Sequence, residues 1–153
     1  MDRPRYEREG DRDEEARIAA VLCNRLQCDV IKLPSWYVLD FAATRAKEIV
    51  AFMEVKRRHH VLGHYPDVFL SLHKIFAAHN FHAVTALPCR FFVQFDDCLA
   101  WADMLSPRAV GMRGRMDRND PQDIEPVAYV PVDDFKLLGG RNGKASQGSD
   151  QIE

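Results

Sequence analysis

The sequence predicts an α/β or α+β fold in which helices lie against a central mixed β-sheet, and three observations carry that prediction. Near the N-terminus, Ile18, Ala19, Leu22 and Leu26 form an apolar stripe at helical spacing. The stretch from Trp36 to Arg58, WYVLDFAATRAKEIVAFMEVKRR, then reads as two strands joined by a short polar turn. A second helical pattern follows Pro66 and precedes another pair of strands. Helices interleaved with strands build layers around one core. The predicted order is helix, three strands, helix, short strand, hairpin and late strand.

Taken in order, residues 1–12 are charged or polar and read as a disordered arm, leaving 13–138 as a single domain and 139–153 as a disordered tail. Asp13 can cap the first helix, with Glu14 and Glu15 at its positive end. Glu15 extends the apolar stripe by one turn; on spacing alone it is either an acid facing a site or a solvated first-turn charge. Cys28–Leu33 alternates as a strand, Pro34-Ser35 turns the chain into a strand over Trp36–Ala42, and Thr44–Lys47 turns it again before the run Glu48–Arg58. Pro66 suits a helix start, giving a helix over Asp67–His79 with Val68, Phe69, Leu72, Ile75 and Phe76 inward and Ser71, Lys74 and Ala78 on another face. Asn80 ends it and Phe81–Ala86 makes a short strand. Phe91–Phe95 and Leu99–Met104 form a hairpin turning at Asp96-Asp97-Cys98. Pro107–Asp123 reads as an Arg-rich loop or flap. Glu125–Val132 reads as an edge strand because its two prolines cannot donate to a ladder, and Asp133–Leu138 adds one helical turn.

A chain of 153 residues suits one domain, and 46% hydrophobic with 29% charged residues is a globular balance. The net charge of -2 provides no global basic field, so any nucleic-acid surface is local. No apolar run approaches a membrane span and the N-terminus is unlike a signal peptide, so an intracellular, cytoplasmic protein is expected. Cys23, Cys28, Cys89 and Cys98 form no CxxC pair and read as reduced, mostly buried thiols, with a zinc site built from both pairs as the alternative. Trp36, Tyr37 and Trp101 read as core or interface aromatics.

The chemistry concentrates in Asp40 and the triplet Glu54-Val55-Lys56. Strand side chains alternate, so Glu54 and Lys56 share one face and Val55 takes the other. If the two strands pair as a hairpin, Asp40 approaches Glu54 across the ladder. Two carboxylates beside an ammonium are costly to assemble in an apolar setting, and a divalent cation explains them better than stability does. Hard cations such as Mg2+ or Mn2+ take carboxylate oxygens, here from Asp40 and Glu54, and the Val55 carbonyl can add another. Lys56 would sit beside the attacking water or the phosphate. These are parts for hydrolysing a phosphodiester. The bland alternative is a set of solvated edge charges, and a second class of function is a non-catalytic nucleic-acid-binding or assembly module. Paired acids near phosphate favour the enzyme.

Asp40, the thirteen residues after it and Glu54-Val55-Lys56 resemble the signature of the PD-(D/E)XK nuclease superfamily, over roughly Asp13–Met104. The helix segment EARIAAVL from Glu15 to Leu22 resembles the glutamate-bearing helix of Holliday-junction-resolvase-like and VRR-NUC-type members. Leu39 stands where the motif's name has proline. The resemblance implies a restriction-endonuclease-like αβββαβ core and Mg2+- or Mn2+-dependent cleavage of DNA, including structure-selective and recombination-associated activities. It also implies a homodimer, and a compact enzyme of this kind would suit a phage. By the same resemblance, Asp40 and Glu54 bind metal, Lys56 assists the attacking water and Glu15 completes the acidic cluster. Beside such a site, the basic run containing Arg57, Arg58 and His60, followed by His64 and Lys74, would meet the phosphate backbone. A metal-ligand pair of His60 and His64 is disfavoured by the intervening Gly63. Arg108, Arg113, Arg115 and Arg118 form a second basic group, read as a DNA clamp, a subunit contact or a plain loop.

Overall fold

A computed structural model of the chain describes residues 9–114 and 124–140. Its first helix, α1, spans Glu9–Leu26 and so begins four residues before the expected cap. Asp13 is therefore an interior residue, and residues 9–12 are helical rather than part of an arm; residues 1–8 lie outside the described ones. Charged residues are tolerated on a helix's solvent side, so their lack of apolar periodicity hid the true start. Ile18, Ala19 and Leu22 are buried, as the stripe predicts. Gln27 closes the helix in the left-handed region (φ 49°), and the Cys28 amide reaches back to the Cys23 carbonyl at 3.3 Å.

Three antiparallel strands follow: β1 (Asp29–Lys32), β2 (Phe41–Arg45) and β3 (Glu48–Arg57). The expected strand over Trp36–Ala42 begins only at Phe41. Ahead of it, Ser35–Tyr37 form a 3-10 turn and Val38 reverses the backbone at φ 73°, ψ -46°. The turn between β2 and β3 consists of Ala46 (φ 50°) and Lys47 (φ 67°), a left-handed pair without glycine. Strand β3 next pairs in parallel with β5 (Cys89–Gln94), which forms a hairpin with β6 (Cys98–Asp103), and β9 (Lys136–Gly140) closes that edge. The resulting mixed sheet has the order β1-β2-β3-β5-β6-β9. Residues 136–138, expected as a helical turn, belong to β9, and the 3-10 turn lies earlier, at Val132–Asp134. The strand also takes in 139 and 140 from the expected tail, the rest of which lies outside the described residues.

The crossover from β3 to β5 departs most from expectation. Asp67–Ser71 is a strand, β4, and helix α2 spans Leu72–Thr85. Val68 and Leu70 are buried in alternation, whereas Phe69 and Phe76 are exposed, and Ala78 is fully buried where an outward face was expected. Both periods fit these few residues, and antiparallel pairing with residues 127–131 decides for a strand. Neither Asn80 nor the expected strand Phe81–Ala86 interrupts the helix, which ends at Ala86 in the left-handed region (φ 60°).

A second sheet has the order β4-β8-β7, with β7 at Ala109–Gly114 and β8 at Ile124–Pro131. The expected edge strand is thus central, and the expected loop contributes β7; residues 115–123 lie outside the described ones. The prolines fit because β8 has neighbours on both sides only at Val127–Tyr129, while Pro126 pairs with β7 alone and Pro131 with β4 alone.

Two cores result. Helix α1 covers one face of the large sheet with Ile18, Leu22, Met53, Val55 and Phe92. On the other face α2 and the second sheet enclose Phe52, Ile75, Ala78, Phe91 and Ala128. Cys28, Cys89 and Cys98 are buried free thiols and Cys23 is half-buried. Burial pushes Cys89 and Cys98 up to about 11, which keeps them protonated.

Candidate active site

Because β3 alternates, Phe52, Glu54 and Lys56 face α2 while Met53 and Val55 face α1. Phe41, the first residue of β2, stands opposite Met53, which carries Asp40 to the level of the next two β3 residues. There the Val55 amide donates to Asp40 Oδ2 at 3.1 Å. Helix α2 brings Lys74 over both acids, its ammonium 2.9 Å from Glu54 Oε2 and 3.4 Å from Asp40 Oδ1, and Lys74 also donates to the Val38 carbonyl. Lys56 Nζ is 3.3 Å from Glu54 Oε1. On the sheet edge Lys32 lies 3.7 Å from Asp40 Oδ1 and 3.5 Å from Glu15 Oε2. The contacts form a continuous chain: Glu15, Lys32, Asp40, Lys74, Glu54, Lys56.

Within this chain the two central acids differ electrostatically. Glu54 is fully buried, and burial raises its carboxyl to about 7. The two lysines pull it down, but Asp40 adds repulsion. For Asp40, burial acts upward too, yet Lys74, Lys56, the Val55 amide and Lys32 outweigh it and leave the carboxyl below its ordinary value. Lys56 is opposed by burial but held above its ordinary value by Glu54, Asp40 and Glu15, so it is charged at neutral pH.

Lys74 lies within hydrogen-bond distance of Glu54 Oε2, yet among the described residues neither Glu54 oxygen receives a well-aligned hydrogen bond. A buried carboxylate with unspent acceptors beside a second carboxylate fits a hard divalent cation, which commonly takes one or two carboxylates and completes its shell with water and substrate oxygens. Among the described residues no group of three or more His, Cys, Asp or Glu side chains is arranged to hold a metal. Asp40 and Glu54 are therefore the side-chain donors on offer, with the adjoining Val55 backbone. Glu15 stands at the rim, joined to Asp40 through Lys32.

The basic residues divide. Arg57 is committed internally: it donates to the carbonyls of Arg58 and Gln94 (the latter at 3.0 Å), pairs with Asp96 at 2.5 Å and lies 3.9 Å from Glu14. Its guanidinium is thus occupied within the protein. Burial lowers Arg58's guanidinium from its ordinary value against the pull of Glu54; it donates to the Phe69 carbonyl at 3.2 Å and lies over the Phe69 ring. His60 bonds the Val61 carbonyl and meets Tyr65 edge-on, with the His64 ring 5.8 Å away. Arg113 is exposed on β7, over Phe69 and Tyr129, while Arg108 is tied to Asp134 and the Asp103 carbonyl. Arg115 and Arg118 lie outside the described residues. Ser71 donates to Glu125 Oε2 at 3.0 Å. Sequence reasoning missed Lys32, which enters only through the pairing of β1 with β2, and it placed Lys74 on the phosphate side of a site whose carboxylates it in fact bridges. Trp36, expected in a core or interface, is 78% exposed.

Comparison with known proteins bears on the fold and the family. No curated protein matches the sequence. Among solved structures, the chain resembles that of Archaeoglobus fulgidus Hjc, a Holliday junction resolvase from an archaeal hyperthermophile, with a TM-score of 0.51. The identity is 11% over 77% of this chain and 84% of the other, a likeness of fold. The family model described as "phage putative PDDEXK endonuclease" matches residues 1–138, which contain every member of the carboxylate–lysine chain. By that match the chain belongs to the phage PDDEXK endonuclease family.

Proposed function

We propose that the protein hydrolyses phosphodiester bonds of DNA with the help of a divalent cation, Mg2+ or Mn2+. The observation that carries this reading is the union of Asp40 and Glu54, one ionised and one poised near neutrality, beside two ammoniums. A cation held by Asp40 and Glu54, with the Val55 carbonyl as a further oxygen, would stabilise charge on the phosphoryl group and acidify water. Glu54 must lose its proton to hold the ion, and Lys74 must release Oε2. Lys56, kept charged by three carboxylates, is suited to orient the attacking water and offset developing negative charge, and unsuited to accept a proton. Glu15 would set the position of Lys32 at the rim.

Arg58, His60, Arg113 and Arg115 are proposed to meet the phosphate backbone, with Lys74 next to the scissile group. The fold shared with a junction resolvase supports branched DNA as a substrate to test, and a homodimer is the proposed assembly. The test is incubation of the protein with plasmid, single-stranded and branched DNA, with Mg2+ or Mn2+ and with chelator. Cation-dependent cleavage that is lost in Asp40→Ala and Lys56→Ala supports the reading. Binding without cleavage of any substrate would replace it with a binding module on the same fold.

A further inference from the structure

Between β1 and β2 the chain forms a closed loop beside the carboxylates. Its ends are pinned by the Leu33 amide, which donates to the Asp40 carbonyl at 2.9 Å. Inside it, Val38 sits at φ 73°, ψ -46°, and the Leu39 amide donates across it to the Tyr37 carbonyl at 2.9 Å. This is the rare, strained form of the γ-turn, here adopted by a β-branched residue. Such strain persists only where surroundings impose it, and it concentrates at functional sites. One element that imposes it is visible: Lys74, which bridges Asp40 and Glu54, also donates to the Val38 carbonyl.

The strained turn presents Trp36. The residue is 78% exposed, although the adjoining aromatics are progressively more buried. Trp36 lies 6.2 Å from Tyr37, Tyr37 stacks on Phe81 at 6.0 Å, and Phe81 stacks on Phe52 at 4.5 Å. Phe52 is buried two residues before Glu54. The column runs from the floor of the site to solvent and ends in an indole with nothing stacked on its outer side among the described residues. Asp40 is four chain steps from Trp36, a span of at most about 14 Å.

We infer that Trp36 is a base-stacking, specificity-determining residue: it receives an unpaired or terminal base of the strand whose phosphate lies at Asp40 and Glu54. An intact duplex keeps its bases stacked and offers no free face, so the preferred substrate carries a single-stranded end, gap or branch next to the cut. Every base has a π-face, so such a contact selects unpairing rather than sequence. Lys32, at the foot of the loop, has a 55% exposed side chain and only long contacts to Glu15 and Asp40, so its ammonium is open to a neighbouring phosphate, which favours nucleic acid over a protein surface as occupant. The inference rests on the nuclease reading for its substrate, but its binding test does not require cleavage.

Tryptophan fluorescence titrated with an unpaired oligothymidylate in chelator reads the contact directly. The other tryptophan, Trp101, is covered by Arg90 and Lys136. The wild-type emission is expected to be quenched on binding, and Trp36→Ala is expected to bind about 5- to 100-fold more weakly, with Trp36→Phe between them. Exposed Trp36 makes little fold, so the variants should keep the wild-type melting temperature. Sedimentation runs alongside. Equal affinity of wild type and Trp36→Ala, no binding by wild type, or weakened binding that only follows loss of a dimer would each overturn the inference, the last in favour of a subunit contact. Quenching without cleavage under any cation would leave the stacking site standing and remove the nuclease reading; cleavage indifferent to Trp36 would do the reverse.

Discussion

The amide of Val55 donates to Asp40 Oδ2 at 3.1 Å, so a backbone group of the β3 strand that carries Glu54 fixes the orientation of the acid on the neighbouring strand. Asp40→Asn retains an oxygen acceptor for that amide but loses the charge. It is expected to fold like wild type and to cleave at least about a hundredfold more slowly, as removal of a charge that acts on the reacting group typically does. Cleavage assays paired with thermal melts check this; wild-type cleavage by Asp40→Asn would remove Asp40 from the proposed site.

Glu54 gives the cation-free protein a distinctive pH dependence. Its folded carboxyl titrates near 7 against 4.5 for the ordinary group, so between those values the folded state binds the extra proton and stability falls as pH rises. The full effect is roughly 3 kcal/mol at about 1.4 kcal/mol per unit. Asp40 works in the opposite sense: its folded value lies below 3.8, so its contribution is complete above that value and is lost as pH falls through the folded one. Denaturant midpoints in chelator should show Glu54→Gln gaining on wild type between pH 5 and about 7.5. A constant difference between the two across that window would contradict the assignment.

Cation affinity should rise with pH until Glu54 is ionised near 7 and then level off, with release of up to one proton per ion bound. Calorimetry in buffers of different ionisation enthalpy measures that proton. Glu54→Gln should lose the site, whereas Lys56→Met should retain it while its cleavage falls by about two to three orders of magnitude. Loss of cation binding in Lys56→Met would mean that Lys56 shapes the site instead of acting on the water.

Glu15 reaches Asp40 through Lys32, both contacts being longer than 3.4 Å. Glu15→Gln is therefore expected to reduce single-turnover cleavage modestly, by about tenfold, and to leave calorimetric cation binding in place. Unchanged cleavage would reduce Glu15 to a partner of Lys32.

Arg57 and Arg58 are neighbours with different duties. Arg57 is enclosed by carbonyls and Asp96, so Arg57→Ala should cost about 1–3 kcal/mol of stability and leave the salt dependence of DNA binding unchanged. Arg58→Ala should reduce the slope of log affinity against log salt by about one, as removal of a single phosphate-neutralising charge does. A reversed pattern would reverse the assignments.

The sequence made the helix stripe and the Asp40–Glu54 meeting legible because both follow from periodicity: Ile18, Ala19 and Leu22 repeat as a helix does, and Glu54 and Lys56 alternate around Val55. Short segments were less legible. In Asp67–Ser71 five residues satisfy either period, and the choice belongs to β8, distant in sequence. The strand expected at Trp36 failed because aromatics and Val38 favour strands locally, while the backbone there is bent by contacts to Lys74. Lys32 carries no local signal, since its neighbourhood exists only once β1 has paired.

The hairpin that brings Asp40 to Glu54 is closed by Ala46 and Lys47, both in the left-handed region, where each costs about 1–2 kcal/mol. Such a turn does not choose its own alignment. Alignment comes from Ala43, Ala51, Met53 and Val55 under α1 and from β5 alongside. A slip of one residue would send Glu54 to the α1 face and Val55 to the α2 face. A peptide of residues 38–58 should accordingly bind no divalent cation in a titration. For the proposed DNA cleavage this is a safeguard written into the chain: a copy is unarmed until its whole sheet is in place.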